Sequence, residues 1–249
     1  MKYTLRQFAL GIVVIASLIS CAPAQHMKEV ADNLYKPINE LPMYGSPYMK
    51  KTEQQLKADN TFIKSVVKSE GSREIAAKRF AGAGWKSKRK GDLVTAMKRF
   101  NESWLLDSNY YQPYWGFASI FLAKKEPEKA SVYFDKAIKL INDNDNKETK
   151  SFKPWIFVDA ARAYGWTAGR LKETDVKRSK SLYEKANKLI DEALMIDPKV
   201  GRAYKIGAAI AYDQGDYQRA WNIVKKSHVT GAYKFSKDFI EQLSKASPE

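Results

Sequence analysis

The chain has a single cysteine, Cys21, and only two histidines, His26 and His228. An intrachain disulfide and an all-cysteine metal site are therefore excluded, and a multi-histidine metal site nearly so. Glycine and proline are scarce, 13 and 9 of 249 residues, which excludes a low-complexity chain. No apolar run reaches the ~20 residues that a membrane-spanning helix needs. There is no GxxxxGK(S/T) or GxGxxG phosphate loop. The run Asn142-Asp143-Asn144-Asp145-Asn146 has the composition of a calcium loop but lacks its turn glycine and terminal glutamate. His26 lies in a proline-rich stretch and His228 at the end of a helical pattern, so neither stands beside a nucleophile. These absences leave a binding or scaffold protein without a cofactor, rather than an enzyme.

What is present is charge and helical periodicity. The 43 basic against 28 acidic residues give a net charge of +15, which predicts attraction to anionic surfaces. The cations cluster at Lys86, Lys88, Arg89, Lys90, Lys98 and Arg99, and again at Lys177, Arg178 and Lys180. The hydrophobic share of 44% is high enough for a buried core.

At the N-terminus, Lys2 and Arg6 precede the apolar run Phe8 to Ile19, which is too short to span a bilayer and has the layout of a signal-peptide core. It ends in Leu18-Ile19-Ser20-Cys21, which resembles the bacterial lipoprotein box. The resemblance implies cleavage after residue 20 and lipidation of Cys21. Several acyl chains on one residue would make a permanent anchor. Ala22 is not the aspartate that retains such lipoproteins at the inner membrane, so the outer membrane, facing the periplasm, is favoured. Residues 21–49 carry Pro23, Pro37, Pro42, Gly45 and Pro47 and read as a linker. Its Tyr35, Leu41, Met43, Tyr44 and Tyr48 either pack back on the body or form a partner-binding strip. Residues 50–72 predict one helix, with Leu56, Ile63, Val66 and Val67 on its apolar face and Gly71 at its end.

Gly91-Asp92-Leu93, Ala96, Phe100 and Ser103 recur about 34 residues later as Ala130, Phe134 and Ala137. Phe80 and Gly84 match Tyr114 and Ala118 at the same offset. Ala186, Ile190, Ala193 and Asp197-Pro198 form a third copy, and Ala208, Gly215-Asp216-Tyr217 and Ala220 a fourth. This pattern resembles the tetratricopeptide repeat, a pair of antiparallel helices, over residues 73–233. The fold expected is an all-α tetratricopeptide-type helical-repeat solenoid. Small residues let helix axes approach, and large ones fill the space beside them. The third repeat departs from the pattern: its first helix reads as Lys153 to Thr167 and its second starts near Arg178. A basic loop with Gly165, Gly169, Arg170, Lys172 and Lys177 is expected between them, and residues 142–150 read as a long polar connection. In residues 234–249, Phe235, Phe239, Ile240 and Leu243 make a stripe that predicts a C-terminal capping helix.

In the resembling family the first helix of each repeat lines a concave groove. Matched residue by residue, that groove would contain Lys78, Trp85, Lys88 and Arg89, then Trp115, then Trp155, Arg162 and Trp166, and last Arg202, Lys205 and Tyr212. Val158 is also assigned to it. Rings beside cations suit an extended acidic or aromatic peptide of another envelope protein. The asparagines of the family's carboxylate clamp are missing, so that ligand is not implied. An exported chain has no access to nucleic acid, which leaves anionic lipid or cell-wall polymer as other partners for the basic surface. The expected function is a lipid-anchored periplasmic scaffold for protein–protein interaction. The alternatives are a factor resembling the lipoproteins that assemble secretin rings of type IV pili, or a structural adaptor on the cell wall or anionic lipid.

Overall fold

The computed structural model describes residues 37–46, 49–144 and 146–248. The signal peptide, Cys21, His26, Tyr35 and most of the linker lie outside the described residues, as does Tyr48. Ten α-helices follow two short 3-10 turns, Ile38–Glu40 and Pro42–Gly45. They are α1 (Glu53–Glu70), α2 (Arg73–Arg89), α3 (Leu93–Leu106), α4 (Tyr111–Ala123), α5 (Pro127–Asn142), α6 (Lys147–Leu171), α7 (Val176–Ile196), α8 (Gly201–Gln214), α9 (Tyr217–Thr230) and α10 (Lys237–Ala246). Among the described residues there is no strand.

The helices pair as α2/α3, α4/α5, α6/α7 and α8/α9. Each first helix also packs on the first helix of the next pair. This is a helical-repeat solenoid of four pairs. Its core alternates alanine and glycine with large residues, as the repeat spacing requires. Phe100 of α3 is fully buried between two helices, where a Cβ on Gly84 of α2 would lie 2.7 Å from its ring and one on Gly116 of α4 only 2.5 Å away. Bare backbone at both glycines is what lets α2 and α4 close on one aromatic ring.

Within the pairs, α2 turns into α3 through Gly91 (φ 82°) and α8 into α9 through Gly215 (φ 86°). Asp92, Asp175 and Asp216 then cap α3, α7 and α9, their carboxylates accepting the N–H groups of Thr95, Arg178 and Arg219. The second pair turns differently: Lys125 holds the left-handed position at φ 62°, and Glu126 provides no side-chain cap.

The third pair corrects the sequence reading. The extra residues are not a loop; they lengthen both helices, and the turn is only residues 172–175. Helix α6 begins at Lys147, capped by Asn146, and runs through Pro154. Proline favours the first turn of a helix, so Pro154 by itself suggests a start near Lys153 rather than at Lys147. Gly165 and Gly169 are helical contact points, not breakers. A Cβ on Gly165 would lie 2.7 Å from Ile210 Cγ1, and one on Gly169 2.8 Å from Asp213 Oδ2. The polar connection 142–150 is likewise mostly helix, with residues 143–146 between α5 and α6.

Two ends are covered. Helix α10 lies on α9, with Leu243 fully buried and Phe239 and Ile240 packed against Ala211, Ala220 and Trp221. Trp221 donates its indole N–H to the Ser247 carbonyl at 2.9 Å. At the other end α1 packs on α2 through Val66, Phe62 and Ile63, while Leu56 stays 50% exposed and contributes nothing to the core.

Residues 37–46 are part of the body, not spacer. Leu41 and Met43 are buried, and the segment lies along α3. The fully buried Asn101 holds it: its amide donates to the carbonyls of Asn39 (3.0 Å) and Leu41 (2.8 Å), and its oxygen accepts from Tyr44 N (3.4 Å).

Candidate functional site

The first helices α2, α4, α6 and α8 form one face, and side chains of successive first helices bond to one another along it. At one end Glu148 Oε1, in the first turn of α6, accepts the hydroxyls of Tyr110 (3.2 Å) and Tyr111 (3.4 Å). Its other oxygen pairs with Lys78 Nζ at 3.1 Å. Burial, with the Glu148 charge, pushes both phenols above the ordinary tyrosine range. Hydrogen bonds that Lys78 donates to Glu74 and Glu148 raise its pKa. Lys78 is thus committed to the protein's own carboxylates.

The middle of the face is aromatic. Trp85 and Trp115 meet edge to face with ring centroids 4.8 Å apart, and Trp85 meets Phe100 at 5.2 Å. The indole N–H of Trp85 donates to Gln112 Oε1 at 2.7 Å, and that of Trp115 to Asp159 Oδ2 at 2.9 Å. Phe152 lies against Trp115, at 6.1 Å between centroids. Both tryptophans are half-buried, so each is anchored by its polar end and presents part of its ring outward.

Asp159 is the centre of the charge arrangement. It is 6% exposed, on α6, and Arg202 of α8 pairs with its Oδ1 at 2.7 Å. This ion pair lacks a straight hydrogen bond, so Oδ1 has no hydrogen-bond donor among the described residues. Lys88 lies 5.5 Å from the Trp85 ring centroid. Burial holds its pKa below the ordinary lysine value; the Asp159 charge opposes the shift, while Arg202 and Arg162 add to it. Arg202 is paired with Asp159, and Lys88 feels the charges of Asp159, Arg202 and Arg162, so cations outnumber carboxylates among these four groups.

Of the residues read from the sequence, the structure brings Trp85, Lys88, Trp115 and Arg202 together, with Arg162 near enough for its charge to act on Lys88. Trp155 is 41% exposed, one turn before Asp159 on α6. Arg89 and Lys205 are exposed, on α2 and α8. Trp166 lies beneath Arg170, whose guanidinium is 5.2 Å from its ring centroid. Tyr212 packs on Tyr217 and Phe239 in the capping cluster. Val158, assigned to the groove, is fully buried; the neighbour that faces the site is Asp159. Sequence reasoning missed Asp159, Phe152 and Glu148. A lone acid in the apolar run Ile156-Phe157-Val158-Asp159-Ala160 was the available signal, since a buried carboxylate needs cationic or N–H partners.

Among the described residues no helix is long and apolar enough to cross a membrane, and no group of three metal-ligating side chains occurs. The fold and this face together define an all-helical repeat protein with a basic, aromatic first-helix face. The sequence matches no family model and no curated protein. Among solved structures, one from a functional characterization of Pseudomonas aeruginosa pilF is similar at 13% identity, over 70% of this chain and 85% of that one, with a TM-score of 0.34. A likeness that loose carries no argument about function.

Proposed function

We propose that this chain is a lipid-anchored scaffold of the bacterial envelope, facing the periplasm, that holds an extended acidic segment of another envelope protein against α2, α4, α6 and α8. The observation that carries the reading is the excess of cations at this face: Arg202 pairs with Asp159, and Lys88, beside the Trp85–Trp115 pair, feels the positive charges of Arg202 and Arg162 as well as the Asp159 carboxylate. A peptide carboxylate would supply the missing charge, and an apolar neighbour would cover the exposed indole surfaces. The anchor rests on Leu18-Ile19-Ser20-Cys21 and the preceding apolar run, with Ala22 favouring the outer membrane. The protein acts by binding and needs no cofactor or catalytic group.

The test is affinity for a fluorescent peptide alternating glutamate with phenylalanine. Arg162→Ala and Lys88→Ala should each weaken binding about tenfold, since hydrogen bonds to charged groups contribute roughly 1.5–3 kcal/mol. Neither change removes a packing contact in the core, so circular dichroism and melting should be preserved. Unchanged affinity in the folded double variant would refute the acidic-peptide reading.

A further inference from the structure

The antiparallel pairs give the solenoid two edges, and only one is strongly basic. The turns within pairs, at residues 90–92, 124–126, 172–175 and 215–216, share an edge. There Lys86, Arg89, Lys90, Lys124 and Lys125 are all exposed, and Lys177 and Arg178 continue the row at the start of α7. None of these seven side chains has an ion-pair partner among the described residues.

Most acids on that edge are already engaged, Glu173 in the 172–175 turn being the exposed exception. Asp92, Asp175 and Asp216 cap helices, Glu126 pairs with Lys129 at 2.9 Å, and Glu128 pairs with Arg170 at 3.2 Å. The opposite edge is mixed in sign. Asp107, Asp143, Glu148 and Asp197 stand there with Lys139, Lys147, Lys150 and Lys199, and Arg73 is bound to the carbonyls of Leu105 and Leu106.

A second, independent observation lies in the turn geometry. Gly91, Lys125 and Gly215 occupy one equivalent position. Their N–H groups bond to the carbonyls of Lys88, Leu122 and Tyr212, and the next residues' to those of Ser87, Phe121 and Ala211. Two of the three are glycine, the residue for which positive φ is unstrained. The third is a lysine held at φ 62°, at the apex of the edge. At this one turn the strain that a glycine would relieve is retained.

We propose that this edge lies on an anionic bilayer, with Lys86, Arg89, Lys90, Lys124 and Lys125 contacting the phosphates of phospholipid head groups. The cations come from separate turns of neighbouring helix pairs, whose axes pack about 8–10 Å apart. That spacing matches a plane of many single charges better than one multivalent ligand, and the neighbouring rings Trp85 and Phe121 are packed on Trp115 and Tyr133 rather than free to stack on a base. The proposal is independent of the Asp159 site, which lies on the first-helix face rather than the edge.

The experiment is co-sedimentation of the full chain with phosphatidylcholine vesicles, with and without phosphatidylglycerol. All variants share the same N-terminus, so differences report the edge alone. Replacing Lys86, Arg89, Lys90, Lys124 and Lys125 by glutamine should lower partition into the anionic vesicles at least ~30-fold. Replacing Lys57, Lys64, Lys68, Lys234 and Lys237 instead removes the same charge elsewhere and should cost less than about threefold. Lys125→Gly alone should raise the melting temperature yet weaken partition several-fold, which a purely structural lysine would not do. Equal losses in the two five-site variants, or undiminished partition in Lys125→Gly, would overturn the proposal. So would capture of polyglutamate through the same five cations with no preference between vesicles, which would assign the edge to an acidic protein.

Discussion

Gly116→Ala and Gly82→Ala change the same chemical group and should have opposite effects. Both glycines are inside helices, α4 and α2, and alanine there gains about 1 kcal/mol of helix propensity. At Gly82, which is exposed, an added Cβ meets nothing within 4 Å, so stability should rise by roughly 0.5–1 kcal/mol. At Gly116 the Cβ would lie 2.5 Å from three ring atoms of Phe100, far inside contact distance. Phe100 cannot retreat, because Gly84 leaves no more room on its other side and Trp85 and Phe117 border the ring at 5.2 and 6.2 Å. Overpacking of this kind typically costs 1–3 kcal/mol, and a fully buried phenylalanine touching two helices belongs at the upper end. After the propensity gain, a net loss of about 1–2 kcal/mol remains, or roughly 2–8 °C in melting temperature for a chain of this size. Phe100→Leu should lower stability alone but recover part of it in the Gly116→Ala background, giving a coupling of ~1 kcal/mol or more. Urea melts of the four variants read this directly. A Gly116→Ala protein as stable as Gly82→Ala would refute the close approach of α2 and α4 through Phe100.

Other outcomes follow from the same reasoning. Lys125→Gly should stabilise by about 1 kcal/mol in thermal melts, because it removes a left-handed lysine without touching its carbonyl, which accepts from Arg170 at 2.9 Å. Asn101→Ala should cost about 2–3 kcal/mol and open residues 37–46 to proteolysis, since it strips three hydrogen bonds from a buried segment. An acidic ligand should push the lowered Lys88 pKa back up. The bound form then holds its proton more tightly, so affinity is full at neutral pH and falls as alkaline pH passes first the free and then the bound pKa. Calorimetry in two buffers should detect proton uptake on binding in that range. Cys21→Ser should leave the helical body folded but abolish fatty-acid labelling, and persistent labelling would exclude the lipoprotein reading.

The repeat architecture was legible because two physical constraints recur at fixed spacing. Alanine or glycine must stand where helices touch, as at Ala96, Ala130, Ala186 and Ala220, and Gly-Asp pairs both turn and cap. The capping stripe from Phe235 to Leu243 was legible for the same reason, since period 3.6 fixes one apolar face. The third pair was not, because Pro154, Gly165 and Gly169 signal breaks locally while tertiary contacts with α8 explain the glycines. Docking of residues 37–46 depends on Asn101, whose amide recognises backbone carbonyls and leaves no mark in the pattern of the segment it holds. The charge site escaped by one residue of register: Val158 and Asp159 are neighbours, and only the packing of α6 decides which faces α8.

The central claim is that a partner's acidic segment lies on the first-helix face near Asp159. It is tested most directly by placing a photocrosslinking amino acid at Trp155, Arg162 or Lys205 in intact cells, with Val132 and Lys139 of α5 as exposed positions off that face. The account predicts adducts to one envelope protein from the first three positions and none from the last two, with the crosslinked peptide rich in aspartate or glutamate. Adducts from Val132 and Lys139 alone, or a crosslinked segment without acidic residues, would contradict it.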